Sequence, residues 1–282
     1  MRLCRRLLIL LLLLPGACAR PQPPVLTFGD HVIAGAETWS GEVRISGVVT
    51  VKKTGLLTIL PGTRVLFAKV DRDGDGIGDA ELLVEGRLVA RGRSEQPILF
   101  SSAEQEPAPA DWKYLYLDFA RPAEISHLIS EYAYSGIQIH FSKAQLTDSE
   151  FRYNIDGVRF STVNLELARN LIHHNRNGLR YEERRSTGRV HHNTIRDNDV
   201  GLFVVTRSSG RVLVEQNNIV NNREYQVKFG LQQRRNVAFP RNWWGTTDPR
   251  TIQRQFFDHR FDGTLGRAEA PQFLLAPVPG TP

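Results

Sequence analysis

Four glycines set the frame of this chain: Gly136, Gly157, Gly178 and Gly201 stand 21, 21 and 23 residues apart. Each opens an alternating strand: Gly136-Ile-Gln-Ile139, Gly157-Val-Arg-Phe160, Gly178-Leu-Arg-Tyr181 and Gly201-Leu-Phe-Val204. An asparagine lies three residues before the last three of them, at Asn154, Asn175 and Asn198. Asn222 continues that series with Tyr225 in place of the glycine. A second strand precedes each asparagine: Ser149-Glu-Phe151, Asn170-Leu-Ile172, Asn193-Thr-Ile195 and Asn217-Asn-Ile219. A period of this length with apolar residues two apart excludes helical repeats. A strand of three or four residues cannot bury a face alone. Stacked coils solve this, because parallel strands lie about 4.8 Å apart and equivalent apolar positions then form ladders. The pattern therefore predicts an all-β solenoid held by contacts between neighbouring coils and closed by a cap at each end. In such a coil the asparagine is expected at a tight left-handed corner, donating its amide to the next coil. The glycine is expected at the positive-φ bend that starts the following strand.

Less regular coils flank the repeat. Leu56 to Phe67 and Leu82 to Ala90 read as strand pairs turned by Pro-Gly and Glu-Gly, and Pro97 to Phe100 as a further strand. Glu104 to Asp111, with Pro107 and Pro109, reads as a protruding loop. Downstream, Thr247-Asp248-Pro249 reads as a helix N-cap with proline at the first helical position. The expected organisation is a leader over 1–19, N-terminal strands or a cap over 20–54, the solenoid over 55–245, and a cap helix with an extended tail over 246–282.

With this repeat, the closing segment Asn242-Trp243-Trp244-Gly245 followed by Asp248-Pro249 carries a family resemblance. The chain resembles bacterial right-handed parallel β-helix repeat proteins of the pectate-lyase-like superfamily over roughly Leu56 to Asp262. The closing segment is similar to the C-terminal signature of envelope β-helices and of relatives of the periplasmic accessory protein of nitrous oxide reductase. The resemblance implies a single-stranded right-handed β-helix in the cell envelope. Trp243 and Trp244 then read as a plug over the last coil, with sugar stacking as the alternative.

A second motif spans residues 71–82: Asp71-Arg-Asp73-Gly-Asp75-Gly-Ile77-Gly-Asp79-Ala-Glu81-Leu82. Carboxylates at alternate positions around Gly76 match the first nine positions of an EF-hand-type loop. The expected calcium ligands are Asp71, Asp73, Asp75, the Ile77 carbonyl, Asp79 and Glu81, with Leu82 standing where such a loop has glutamate. No helices flank the loop, so the reading is a structural calcium clip.

For a ligand site, the outward column after the repeat glycines is Gln138, Arg159, Arg180 and Phe203. Arg159 and Arg180 fall one coil apart, a repulsive pair that Glu182 or an anionic ligand would offset. His174 falls in register with Asp197, a pairing suited to acid–base or metal chemistry. The neighbouring doublets His173-His174 and His191-His192 are expected to point to opposite faces. No Asp-Pro-His-Glu, paired Asp-Asp, Trp-x-Asp-His or Gly-x-Ser-x-Gly motif of known hydrolases, lyases or epimerases is present.

The N-terminus gives the address. Arg2, Arg5 and Arg6 precede eight aliphatic residues, Leu7 to Leu14, and then Pro15 and Gly16. A bilayer span needs roughly 20 residues, so this is a removable export signal. Cleavage after Ala19 would release a soluble chain. Alternatively, Leu14-Pro15-Gly16-Ala17-Cys18 resembles a lipobox, with Cys18 acylated and Pro15 as its departure. Cys4 and Cys18 are the only cysteines, so the chain after Ala19 carries no disulfide. The net charge is +6, and removing the three leader arginines leaves +3. This modest excess permits attraction to acidic polysaccharide, lipopolysaccharide phosphate or anionic lipid; no nucleic-acid motif is present. The expected function is an exported, non-catalytic module binding a glycan or another envelope component. The alternatives are an enzyme acting on acidic polysaccharide and an accessory factor for periplasmic metal-site assembly.

Overall fold

The computed structural model describes residues 25–282, so the leader and both cysteines lie outside the described residues. Three parallel sheets of nine, ten and eight strands run the length of the molecule. Each coil contributes one strand to each sheet in turn, which makes a right-handed parallel β-helix. The first sheet runs from Leu26–Phe28 to Asn218–Val220, the second from His31–Ile33 to Phe256–Phe257, and the third from Ala36–Trp39 to Val212–Glu215.

Alternation in sequence becomes columns in space. On the second sheet Ile137, Val158, Leu179, Leu202, Val227 and Phe256 lie in register, and all are buried. On the third, Ile125, Leu146, Leu167, Val190 and Val214 do the same. Each such side chain contributes about 1.5–3 kcal/mol by leaving water.

Two asparagine ladders run along the corners. Between the first and second sheets the backbone N–H of Asn154 donates to Asn175 Oδ1 (2.9 Å), that of Asn175 to Asn198 Oδ1 (3.0 Å), and that of Asn198 to Asn222 Oδ1 (3.1 Å). Between the third and first sheets the same bonds link Ser149, Asn170, Asn193, Asn217 and Asn242 at 2.9–3.0 Å. The second ladder consists of residues read from the sequence as strand starts, and Asn242 of the closing segment is its last rung.

Corner geometry differs from the expectation at both marker residues. The left-handed residue is the one before each ladder asparagine: Tyr153, His174, Asp197 and Asn221, with φ of 54–55°. The repeat glycines have no positive φ. They are small because a Cβ on Gly157 would stand 2.7 Å from the Gly178 carbonyl oxygen and 3.0 Å from Asn175 Nδ2. Close approach of one coil to the next, not a backbone bend, excludes a side chain there.

The ends also differ. The stack begins at Leu26, whose strand pairs in register with Val43, and not at residue 55. Strands such as His31–Ile33 and Ala36–Trp39 lack the Asn and Gly marks, so the sequence does not flag them as coils. At the far end Trp244 is buried 4.9 Å from the Phe256 ring and closes the core, while Trp243 is half-buried. The helix Pro249–Arg254 is capped by Asp248, whose carboxylate accepts from the N–H groups of Arg250 and Thr251. The segment after Pro271, expected as an extended tail, folds back: Asn218 accepts from the Val278 N–H (2.8 Å) and donates to the Thr281 hydroxyl (2.7 Å).

Candidate functional site

The second sheet presents the outward column Tyr116, Gln138, Arg159, Arg180, Phe203 and Lys228 in register, with Arg159 and Arg180 paired as expected from the repeat. Their charges are handled differently. Arg180 Nη1 donates to Asp156 Oδ2 at 3.1 Å, and its guanidinium lies 5.6 Å from the centre of the Phe203 ring. Asp156 is fully buried and also accepts from Asn177 Nδ2 (2.8 Å). Its position just before the repeat glycine is the sequence signal for this partner. Glu182, the expected counter-charge, instead accepts from Arg184 Nε at 2.7 Å. Glu182 pairs with Thr206 across a bulge at Val205 in the neighbouring strand.

Arg159 makes no ion pair among the described residues. It faces a polar, partly aromatic hollow of about 320 Å³ that includes His140, Ser161 and Glu182. His140 Nδ1 is 3.1 Å from the Tyr116 hydroxyl, and the Tyr114 ring meets Tyr116 edge-on at 5.5 Å. Burial and then the Arg159 charge lower the His140 pKa, so the imidazole is neutral near pH 7. Burial pushes the Tyr116 hydroxyl up to about 12, which keeps it a hydrogen-bond donor. Beneath the column Gln138 Oε1, Ser135 Oγ and Arg180 Nε are buried without a hydrogen-bond partner in the protein. Buried unsatisfied polar atoms cost about 1–3 kcal/mol each.

The strip does not bring together two free carboxylates. Asp156 is held by Arg180 and Asn177, and Glu182 by Arg184. Paired acid and base carboxyls, the usual equipment for cleaving a glycosidic bond, are absent from it.

The expected His174–Asp197 pair does not form through side chains. The two residues meet only through the backbone, His174 N–H to the Asp197 carbonyl (3.1 Å), and Asp197 is paired with Arg196. The histidine doublets also correct their expectation. His173 Nδ1 and His174 Nδ1 are 2.6 Å apart, and His191 Nδ1 and His192 Nδ1 are 2.8 Å apart. His174 and His192 occupy left-handed corners, which breaks the alternation of a strand and turns both rings to one side. Each first histidine also holds a carboxylate, His173 with Glu150 at 2.9 Å and His191 with Glu166 at 2.5 Å.

In the acidic loop, Asp71, Asp73 and Asp79 bring ligand oxygens within 4.8 Å of one another. Asp71 accepts from the N–H groups of Gly74 (2.7 Å) and Gly76 (3.0 Å), and both glycines have positive φ. The Asp75 and Glu81 carboxylates do not join the cluster. Asp75 accepts from the Ile77 N–H (2.8 Å), and Glu81 is held in the second sheet opposite Val48. Burial raises the Glu81 pKa.

A family model described as a right handed beta helix region matches residues 115–241 of the chain. No curated protein and no solved structure gives a significant match. The match spans the regular coils, with both asparagine ladders except the last rung at Asn242, and bears on the fold.

Proposed function

We propose that this chain is an exported, non-catalytic binding module that holds an acidic glycan along the outward face of the second sheet. The observation that carries the reading is Arg159: a cation without an acidic partner among the described residues, facing a hollow in the column that also carries Tyr116. A carboxylated sugar supplies what the strip lacks. It brings a negative charge for Arg159 and an apolar ring face for Tyr114 and Tyr116. The strip's carboxylates Asp156 and Glu182 are both held in ion pairs, which favours binding over glycoside hydrolysis. The leader, outside the described residues, supports export, and a core built without disulfides fits either compartment.

Calorimetric titration with oligogalacturonate tests this directly. Binding without release of shortened or unsaturated sugar is the expected result, with affinity at least tenfold weaker in Arg159→Gln. Formation of product would replace the binding module with the polysaccharide-active enzyme. Equal binding by Arg159→Gln would remove the strip as the site. The mass of the processed N-terminus separates cleavage after Ala19 from acylation at Cys18.

We further propose calcium as a structural ion in the 71–82 loop, held by Asp71, Asp73 and Asp79. Three carboxylates within 4.8 Å repel one another without a counter-charge. The nearest cation, Lys113, is 3.6 Å from Asp79.

A further inference from the structure

The corner between the second and third sheets carries a second chemistry. Each successive coil there places one left-handed residue facing outward: Phe119, Phe141, Thr162, Arg184 and Arg207, with φ of 48–56°. In the next coil Leu231 follows Gly230, whose N–H donates to the Val204 carbonyl (2.8 Å), and precedes Gln232, whose carbonyl accepts from Thr206 Oγ1 (3.1 Å). Five coil steps of about 4.8 Å make this a straight ridge roughly 24 Å long.

Its crest is apolar at both ends. Phe119 is 61% exposed, Phe141 50% and Leu231 76%. The two phenyl rings stack on each other, centroids 4.5 Å apart and planes within 8°. Between the apolar ends lies a hollow of about 540 Å³ lined by Phe141, Thr162, Arg184, Arg185, Arg207 and Arg235. Arg184 is paired with Glu182. Arg185, Arg207 and Arg235 make no ion pair among the described residues. Guanidiniums gathered round one hollow repel unless an anion enters, and their fork matches phosphate oxygens in pairs.

We propose that this ridge docks the protein on an anionic phospholipid surface. Lipid phosphates occupy the arginine hollow, and Phe119, Phe141 and Leu231 enter the headgroup–acyl boundary. Three features favour a bilayer over a soluble glycan here. The crest residues are Phe and Leu, which offer no polar group to sugar hydroxyls. They are half or more exposed, so nothing within the chain shields them from an apolar phase. Basic and apolar side chains on one straight line are what an interfacial, non-spanning contact requires. No described helix is long and apolar enough to cross a membrane. The arginine hollow adjoins the glycan strip, sharing Phe141 and Arg184 with its hollow, but the inference needs neither a glycan nor an acyl group at Cys18.

The test uses the chain from Arg20 onward, which contains the whole described core. Co-sedimentation is measured with phosphatidylcholine vesicles with and without phosphatidylglycerol. Binding is expected only with the anionic lipid, and is expected to fall steeply with added salt. Each basic residue near such a surface strengthens partitioning roughly fivefold, so R185Q/R207Q/R235Q should weaken it about a hundredfold. F119N/F141N should weaken it independently, since asparagine keeps the left-handed backbone and removes the ring. Unchanged circular dichroism and melting in both variants keep the comparison valid. R159Q should bind vesicles as the parent does, which separates failure here from failure of the glycan strip. The proposal is overturned by equal partitioning onto neutral vesicles, by variants that bind like the parent, by a ridge that captures only soluble oligogalacturonate, or by sedimentation showing the ridge buried between two copies of the chain.

Discussion

Asn175 sits at the junction of three coils. Its Oδ1 accepts from the N–H and Nδ2 of Asn154, and its Nδ2 donates to the carbonyls of Phe151 and His173. Asn175→Ala strands several buried groups at once and is expected to cost about 3 kcal/mol or more, read as a lower urea midpoint. Gly157→Ala should be comparably harmful, because its Cβ meets a backbone carbonyl that cannot move alone. A second residue-scale prediction concerns His140. Its pKa is lowered by burial and by Arg159, so the folded state binds this proton less readily than the unfolded chain does. Its contribution to stability is complete above the unfolded value near 6.5 and is lost as pH falls through the folded value. An anion neutralising Arg159 should raise the His140 pKa. An NMR titration with and without oligogalacturonate should show an upward shift in the parent and none in Arg159→Gln.

At the scale of elements, the acidic loop and the corners show how far the sequence could be read. The loop was legible as a cation motif because carboxylates at alternate positions around glycine are rare by chance. Which three converge was not, because strand pairing decides where Glu81 goes and backbone donors decide where Asp75 goes. Calcium should raise the melting temperature of the parent by several degrees, and Asp71→Asn/Asp73→Asn should abolish the rise; no calcium effect in the parent would end that proposal. The first asparagine ladder was legible from its spacing. The second was masked, since Asn170, Asn193 and Asn217 also begin strands and look like ordinary strand residues. Left-handed corners were not legible at all. Their occupants include Tyr153, His174, Asp197, Phe141 and Arg207, residue types with no shared composition signal. That gap is also why the histidine doublets were assigned to opposite faces.

For the whole molecule, the governing fact is that stability is a sum over neighbouring coils, with two open ends. Trp244, packed against Phe256 and Phe239, closes one of them. Trp244→Ala removes a fully buried ring and is expected to cost about 3–5 kcal/mol locally. Because the loss falls at one end, amide exchange should accelerate first in the last coils, around Tyr225–Phe229, and leave the coils near Leu82 nearly unchanged. Uniform acceleration along the stack would show instead that the solenoid unfolds as one cooperative block.

The left-handed corners also leave thermal headroom. Sixteen corner residues hold φ between 48° and 64°, and of these only Asn221, Asp148, Asp197, His127, His174 and His192 are of types enriched in this conformation. Each of the others gives up of order 1 kcal/mol to a backbone shape its side chain resists. Thr162, β-branched and at φ 56°, is the least suited of them. Thr162→Asn should stabilise the chain by about 1 kcal/mol, measured as a higher urea midpoint, without altering the core. The corners thus form a row of replaceable sites along which the scaffold can be hardened, or given new surface chemistry, one coil at a time.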